Sequence, residues 1–348
     1  MKKMVILMCA ALIAVSSAFC GGSQDSGNAA QGGGGSSDGR IAPPSSVYKY
    51  SLAAGSVGGN FYLLGGGLAQ TINRRLPEYF LFTSETTGGG VANAGLLQTG
   101  DAELGIVMTS SLAQALVGQE TWTNGVKHDK LRGAAPLYPS WLTLYTLRSS
   151  GIKNLKDLNG KIVGLGSKGM AMDSIFRKFF DDQGIKPKQI HNDGHAATAT
   201  ALGNGIIDAA LLFSYPPFAA IAELESTKDL SFVGLTPAEQ KALTDEYSFY
   251  VADAMPAGSY KGLTQDLPLV SEWNMLVTSS DVPADHVYLI VKTLFENQQD
   301  MIAVHRSAEF MTPKNSLAFN IPLHAGTIRY LKEVGVDVPA RLIPPEYK

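Results

Sequence analysis

The sequence predicts an α/β protein of two domains joined by two extended crossings. Three observations predict it. The 348 residues exceed what a single core of ordinary size accommodates. Beyond residue 46, short β-rich runs alternate with helical patterns, as in a mostly parallel sheet covered by helices. Glycine is abundant, with 37 residues, and much of it stands between a predicted strand and the next helix.

The elements follow in order. A strand at 48–53 leads through Gly55-Ser56-Val57-Gly58-Gly59 into a helix over 60–75. A strand at 80–85 leads through Thr86-Thr87-Gly88-Gly89-Gly90 into a helix over 91–99. A third strand, 104–107, is followed by Thr109-Ser110-Ser111 and a helix from Leu112. The Tyr- and Leu-rich run 137–148 reads as the first crossing. A short helix at 155–158 ends at Asn159-Gly160 and precedes a strand at 161–165. Gly166-Ser167-Lys168-Gly169 then opens a helix over 170–183 that stops at Gly184. A strand at 190–192, a helix at 196–202 stopped by Gly203-Asn204-Gly205, and a strand at 209–213 follow. Ser214-Tyr215-Pro216-Pro217 opens another helix, with Pro217 near its first turn. A strand at 230–235 comes next, 247–256 reads as the return crossing, and a strand at 273–279 and helices near 283–297, 299–308 and 323–334 close the chain. The expected division is 47–137 plus 250–348 for one lobe and 138–249 for the other.

Composition narrows the function. Apolar residues make up 45%, enough for two cores, and charged residues only 17%. The net charge is −3 with no basic block, so nucleic acid is not an expected partner. The two cysteines, Cys9 and Cys20, both lie in the first twenty residues, which excludes a disulfide framework, a zinc finger or a cysteine nucleophile in the body.

The first residues read as an address. Lys2 and Lys3 precede an apolar run over 4–15 and the small residues Ser16, Ser17 and Ala18, the layout of a secretory signal over 1–19. The run is too short for a permanent span. Cys20 then resembles a lipobox cysteine, with Phe19 and Ser17 as departures; cleavage after Ala18 is the alternative. Residues 20–46 are rich in Gly, Ser, Asn, Gln and Asp and read as a flexible tether to a membrane lipid.

Ligands in open α/β sheets bind beyond the carboxyl ends of the strands. Five loops lie there: 55–59, 86–90, 109–111, 167–169 and 214–215. Each offers backbone N–H groups at a helix start, where the dipole favours an anion. Thr109, Ser110 and Lys168 are candidates on this ground. A different class is carried by Gly164-Leu165-Gly166-Ser167-Lys168-Gly169, a G-x-G-x-x-G run with Asp193 about 24 residues on, as in a nucleotide-dependent oxidoreductase. The expected export argues against it, and no G-x-S-x-G elbow occurs. His191, Asp193 and His195 have spacing open to a metal but read as a surface loop, with no metal expected. His324 reads as a cap or packed side chain, and Trp122, Trp141 and Trp273 as core or cleft wall.

Several separated segments between 48 and 335 resemble the TAXI family of solute receptors, the extracytoplasmic binding proteins of tripartite ATP-independent (TRAP) transporters. They are Ala54 to Tyr62 with Gly65-Gly66-Gly67-Leu68-Ala69, Glu85 to Asn93, Leu137-Tyr138-Pro139, Ser150-Gly151-Ile152-Lys153 with Asp157 to Lys161, Pro256-Ala257-Gly258-Ser259-Tyr260, and Ile321 to Gly326. The resemblance implies a two-lobed periplasmic-binding-protein fold, type II-like, that closes on a small carboxylate such as glutamate, glutamine or 2-oxoglutarate. It implies no catalysis, no cofactor, and delivery to a TRAP-type permease. By matching positions it places Gly55, Ser56, Asn60, Tyr62, Thr87, Gly88, Gly89 and Asn93 in the pocket from one lobe, and Gly169, Met170, Tyr215 and Pro217 from the other. Met108-Thr109-Ser110 stands where many relatives have Gln-Ser-Asp, and Lys168 and Met170 depart from the usual fourth loop. A gained cation and a lost acceptor favour an acid without an ammonium group, a dicarboxylate or oxo-acid. A binding protein of an ATP-driven transporter, or a sensor, is the alternative within the same class.

Overall fold

In the computed structural model, residues 41–347 are described. Cys9, Cys20, the expected signal and most of the expected tether lie outside them. Residues 41–46, the end of that tether, carry no helix or strand.

The first half runs β1 (Tyr48–Ala53), α1 (Asn60–Arg75), β2 (Phe80–Glu85), α2 (Gly90–Thr99), β3 (Leu104–Met108) and α3 (Thr109–Val117). The long β4 (Leu131–Leu147) follows. The second half runs β5 (Ile162–Gly164), α4 (Ala171–Asp182), β6 (Gln189–His191), α5 (His195–Gly203), β7 (Ala209–Ser214), α6 (Ala219–Thr227), β8 (Leu230–Val233), α7 (Pro237–Glu246) and β9 (Val251–Met255). Then come β10 (Leu267–Ser279), α8 (Ala284–Glu296), α9 (Gln298–Val304) and α10 (Ala325–Glu333).

The strands form one sheet in the order β2-β1-β3-β10-β4-β7-β5-β6, with β8 paired to β4 and β9 to β10. Each half contributes three parallel strands in the same local order, first strand between second and third. Between the halves stand β10 and β4, antiparallel to each other and to their neighbours β3 and β7. The same two strands serve both halves. One end of β4 pairs with β10 and the other with β7 and β8. One end of β10 pairs with β9 and the other with β3.

Side-chain alternation sorts the core. Leu52, Leu104, Ile106 and Leu276 belong to one apolar cluster with α8, while Ala53, Val107, Met275 and Val277 belong to a second with α2 and α10. Neighbours along a strand thus enter opposite layers, and helices cover both faces. A third cluster holds the second half, from Trp141 to Val270.

Four expectations are corrected, and one helix is added. The return crossing is β10, not 247–256; β9 only pairs with the start of β10. Tyr250, Met255, Tyr260 and Leu263, expected in the first lobe, pack in the cluster of the second half. The first crossing starts six residues earlier than 137, because the register shift between Asn274 and Met275 absorbs Leu137 beside Pro136 and lets the strand continue past two prolines. Helix α3 begins at Thr109, so Thr109, Ser110 and Ser111 are its first turn and not a loop before it. Helix α7 went unread, although Thr236 and Glu239 form a capping box around Pro237 at the first helical position.

Candidate functional site

A cavity of about 180 Å³ lies between the halves. Its floor is the pair of crossing strands, with Tyr138 and Ser140 from β4 and Asn274 from β10. The Asn274 amide donates to the Tyr138 carbonyl at 3.1 Å and to the Ser140 hydroxyl at 2.7 Å, which ties the two strands at the floor. The first half adds Gly55, Ser56, Gly59, Asn60 and Phe61, then Gly88, Gly89 and Gly90, and Met108. The second adds Ser167 and Met170, Gly194 and His195, Phe213, Ser214 and Phe218. Asn60 hydrogen-bonds the Tyr138 hydroxyl, whose pKa burial pushes up.

Four helix N-termini reach this cavity: α1 and α2 from one half, α4 and α5 from the other. Their N-caps are Gly59, Gly89, Met170 and Gly194, and none makes a side-chain cap hydrogen bond. The N-cap N–H groups of Gly89 and Gly194 donate to Thr87 Oγ1 at 3.1 Å and to Asp193 Oδ1 at 2.7 Å, and the remaining first-turn N–H groups leave roughly +0.5 elementary charge per helix start. Asp173 in the first turn of α4 is held by Arg177 at 2.8 Å and by Asn192 at 3.0 Å. None of the described residues lining the cavity is Asp, Glu, Lys or Arg. His195 is the one imidazole in the wall, and burial lowers its pKa, so it stays neutral near pH 7. The site therefore offers an anion oriented N–H groups and a low-charge, partly aromatic wall.

The third helix of each half is treated differently. The Ser110 N–H of α3 donates to Glu272 Oε2 at 3.1 Å, and the Phe218 N–H at the start of α6 donates to the Tyr260 hydroxyl at 3.1 Å. The protein supplies its own acceptors there. Thr109 and Ser110 are accordingly buried, and Thr109 accepts from the Trp273 N–H at 3.3 Å.

Of the residues singled out in sequence, Gly55, Ser56, Asn60, Gly88, Gly89 and Met170 line the cavity. The others do not. Asn93 is fully buried; its amide donates to the Ala54 and Ile106 carbonyls, both at 2.7 Å, and accepts from Thr87 Oγ1 at 2.6 Å. That pairing uses Thr87 as well. Tyr62 is exposed on α1. Lys168 is exposed, so the cation inferred for the pocket is not in its wall. Gly169 has φ of +85° and serves the turn before α4. Tyr215 donates to Glu309 at 3.0 Å and packs on Trp141 and Phe310, while Pro217 is exposed and precedes α6.

Sequence reasoning missed Tyr138, Ser140 and Asn274, whose alternation on the crossing strands was the available signal. His195, read in sequence as part of a surface loop, instead starts α5 and lines the cavity, following Gly194 as Asn60 follows Gly59. Among the described residues no group of three His, Cys, Asp or Glu is placed to hold a metal. In the G-x-G-x-x-G run, a Cβ at Gly166 would lie 2.9 Å from His195 Cε1, so this glycine makes room for the imidazole. His324 caps α10, accepting from the Gly326 N–H at 3.2 Å, and burial lowers its pKa to about 4. Trp141 is buried in the cluster of the second half, and Trp122 and Trp273 pack against the cluster shared with α2 and α10.

Comparison with known proteins follows the same outline. A solved structure of a periplasmic transporter is 14% identical, with a TM-score of 0.51, covering 84% of this chain and 94% of that one; the two share a fold. A binding-protein component of an ABC phosphonate transporter from Pseudomonas aeruginosa is 9% identical, with a TM-score of 0.49, covering 76% of this chain and 80% of that one. A putative L-cystine ABC transporter from Listeria monocytogenes is 15% identical, with a TM-score of 0.47, covering 76% and 98%. In sequence, the match to a family model runs over residues 52–335, nearly the whole described body, and the chain belongs to the NMT1-like family.

Proposed function

We propose that this protein is an extracytoplasmic solute receptor that captures a small organic acid between two lobes and delivers it to a membrane transporter. The lobes meet at β4 and β10, and the segment of chain from β4 to β10 forms the second. The observation that carries the reading is the cavity itself, where four helix starts without side-chain caps, two from each half, meet over a wall free of charged side chains. A carboxylate that touches termini from both halves gains more contacts in the closed form than in the open one. That differential affinity drives closure without any bond being made or broken. The cavity is smaller than the roughly 300–1,000 Å³ of drug-sized sites, which suits a compact metabolite.

The resemblance to TAXI receptors supports a TRAP-type permease as partner and 2-oxoglutarate, another dicarboxylate or a glutamate-like acid as ligand. The sequence features around Cys20 support export and a lipid anchor. A receptor of an ATP-driven transporter would use the same cleft, and co-purification with membrane subunits separates the two. Native mass spectrometry of the gently purified protein, followed by release of what it carries, tests the reading. A bound molecule with a carboxylate supports it; a bound cation or neutral sugar overturns it.

A further inference from the structure

The capture reading leaves one buried carboxylate unused. Glu272 sits on β10, opposite Ser140 of β4 and two residues from Asn274. Alternation puts Glu272 on the same sheet face as Tyr138, Ser140 and Asn274, the three floor residues of the cavity. It is only 1% exposed. Oε2 accepts from the Ser110 N–H at the start of α3, and the Ser110 side chain also hydrogen-bonds the carboxylate. Oε1 is buried without a partner. Facing it from the turn before β9 is Tyr250, whose hydroxyl is also buried without a partner and whose pKa is raised by burial and by Glu272. Tyr247 stands beyond Tyr250, their ring centroids 5.8 Å apart. From β4 the neighbours are Ser140 and Trp141, which do not titrate near neutral pH. No Lys, Arg, His, Asp or second Glu contributes to the titration of Glu272. In the cavity wall itself the titratable side chains are Tyr138, pushed up by burial, and His195, pushed down by it.

We propose that Glu272 makes capture proton-linked: when an anionic ligand settles on the Tyr138–Ser140–Asn274 floor, this carboxylate takes up one proton from solvent. The inference rests on the carboxylate reading above. A ligand carboxylate on the floor brings a second negative charge close to Glu272 in a site with no cation between them, and like charges in low dielectric favour protonation of one. Burial already pushes the Glu272 pKa up to about 7, so the group is poised near neutrality before any ligand arrives. The proton ends on the partnerless oxygen, and α3 keeps its bond to the other.

The sign follows from linkage. Binding that raises the Glu272 pKa is strongest where the group is already protonated. It weakens as pH rises through the ligand-free value, by at most about tenfold per pH unit. Calorimetry of 2-oxoglutarate, succinate and glutamate in buffers of different ionisation enthalpy counts the protons. Relative to Glu272→Gln, which cancels the protons carried by the ligand itself, wild type should take up almost none near pH 5.5 and a large fraction of one near pH 8. Glu272→Gln should bind as wild type does near pH 5.5 and show no uptake near pH 8. His195 would give the opposite profile, uptake falling towards pH 8 and surviving Glu272→Gln, and that result overturns the inference. So does the absence of uptake in wild type at pH 8, which needs no variant. If none of the three acids binds at any pH, the carboxylate reading itself falls, and this inference with it.

Discussion

Asn93 shows how a residue that looks ready for a ligand can be spent on the fold. Its amide joins the ends of β1 and β3 through the Ala54 and Ile106 carbonyls and fixes Thr87 at the start of α2. Removing it takes a buried donor from each of two carbonyls, at a cost on the order of 1–3 kcal/mol apiece. Asn93→Ala should therefore lower unfolding stability by about 3 kcal/mol, read from urea denaturation, and should move the second glycine loop before it touches any ligand. A change under about 0.5 kcal/mol would show that the amide is not structural. The sequence has no way to separate these roles, because an asparagine in a glycine-rich first turn serves a ligand and a neighbouring strand equally well. Lys168 teaches the converse, since its charge invited a pocket role and its exposure withholds one.

Among elements, the helix starts decide the site. Helix α1 lies so close to the end of β1 that a Cβ on Gly65 would stand 2.4 Å from the Ala54 Cβ and 3.1 Å from Ser84 Oγ. Gly65→Ala should push α1 outward and cost roughly 1–3 kcal/mol, as overpacking of a tight core does. The melting temperature should fall and ligand affinity with it, because the displaced helix carries Gly59 and Asn60 away from the floor. Unchanged affinity at lowered stability would separate α1 from the site. The alternation of strand, glycine turn and helix was legible residue by residue, since period and turn chemistry are local. The length of β10 was not, because Pro268 at its start reads as a break and the strand is defined by partners far away in sequence. Nor was the difference between open and occupied helix starts, for Glu272 lies 162 positions from the Ser110 it caps.

For the molecule as a whole, two halves of the same local strand order share two central strands, and the cavity opens where they meet. Bonds also cross from half to half beside it, from Gln114 Nε2 on α3 to Ser174 Oγ on α4 at 2.9 Å. Two lobes could be inferred from length and alternation; their seam could not, because it depends on which strand each crossing pairs with. The central claim is that backbone N–H groups recognise a carboxylate in that seam. Calorimetry of 2-oxoglutarate against its dimethyl ester, near pH 6, tests it most directly, since the ester keeps the body of the molecule and loses both charges. The acid should bind one to one and the ester should bind at least a hundredfold more weakly. Equal binding of acid and ester would contradict the claim.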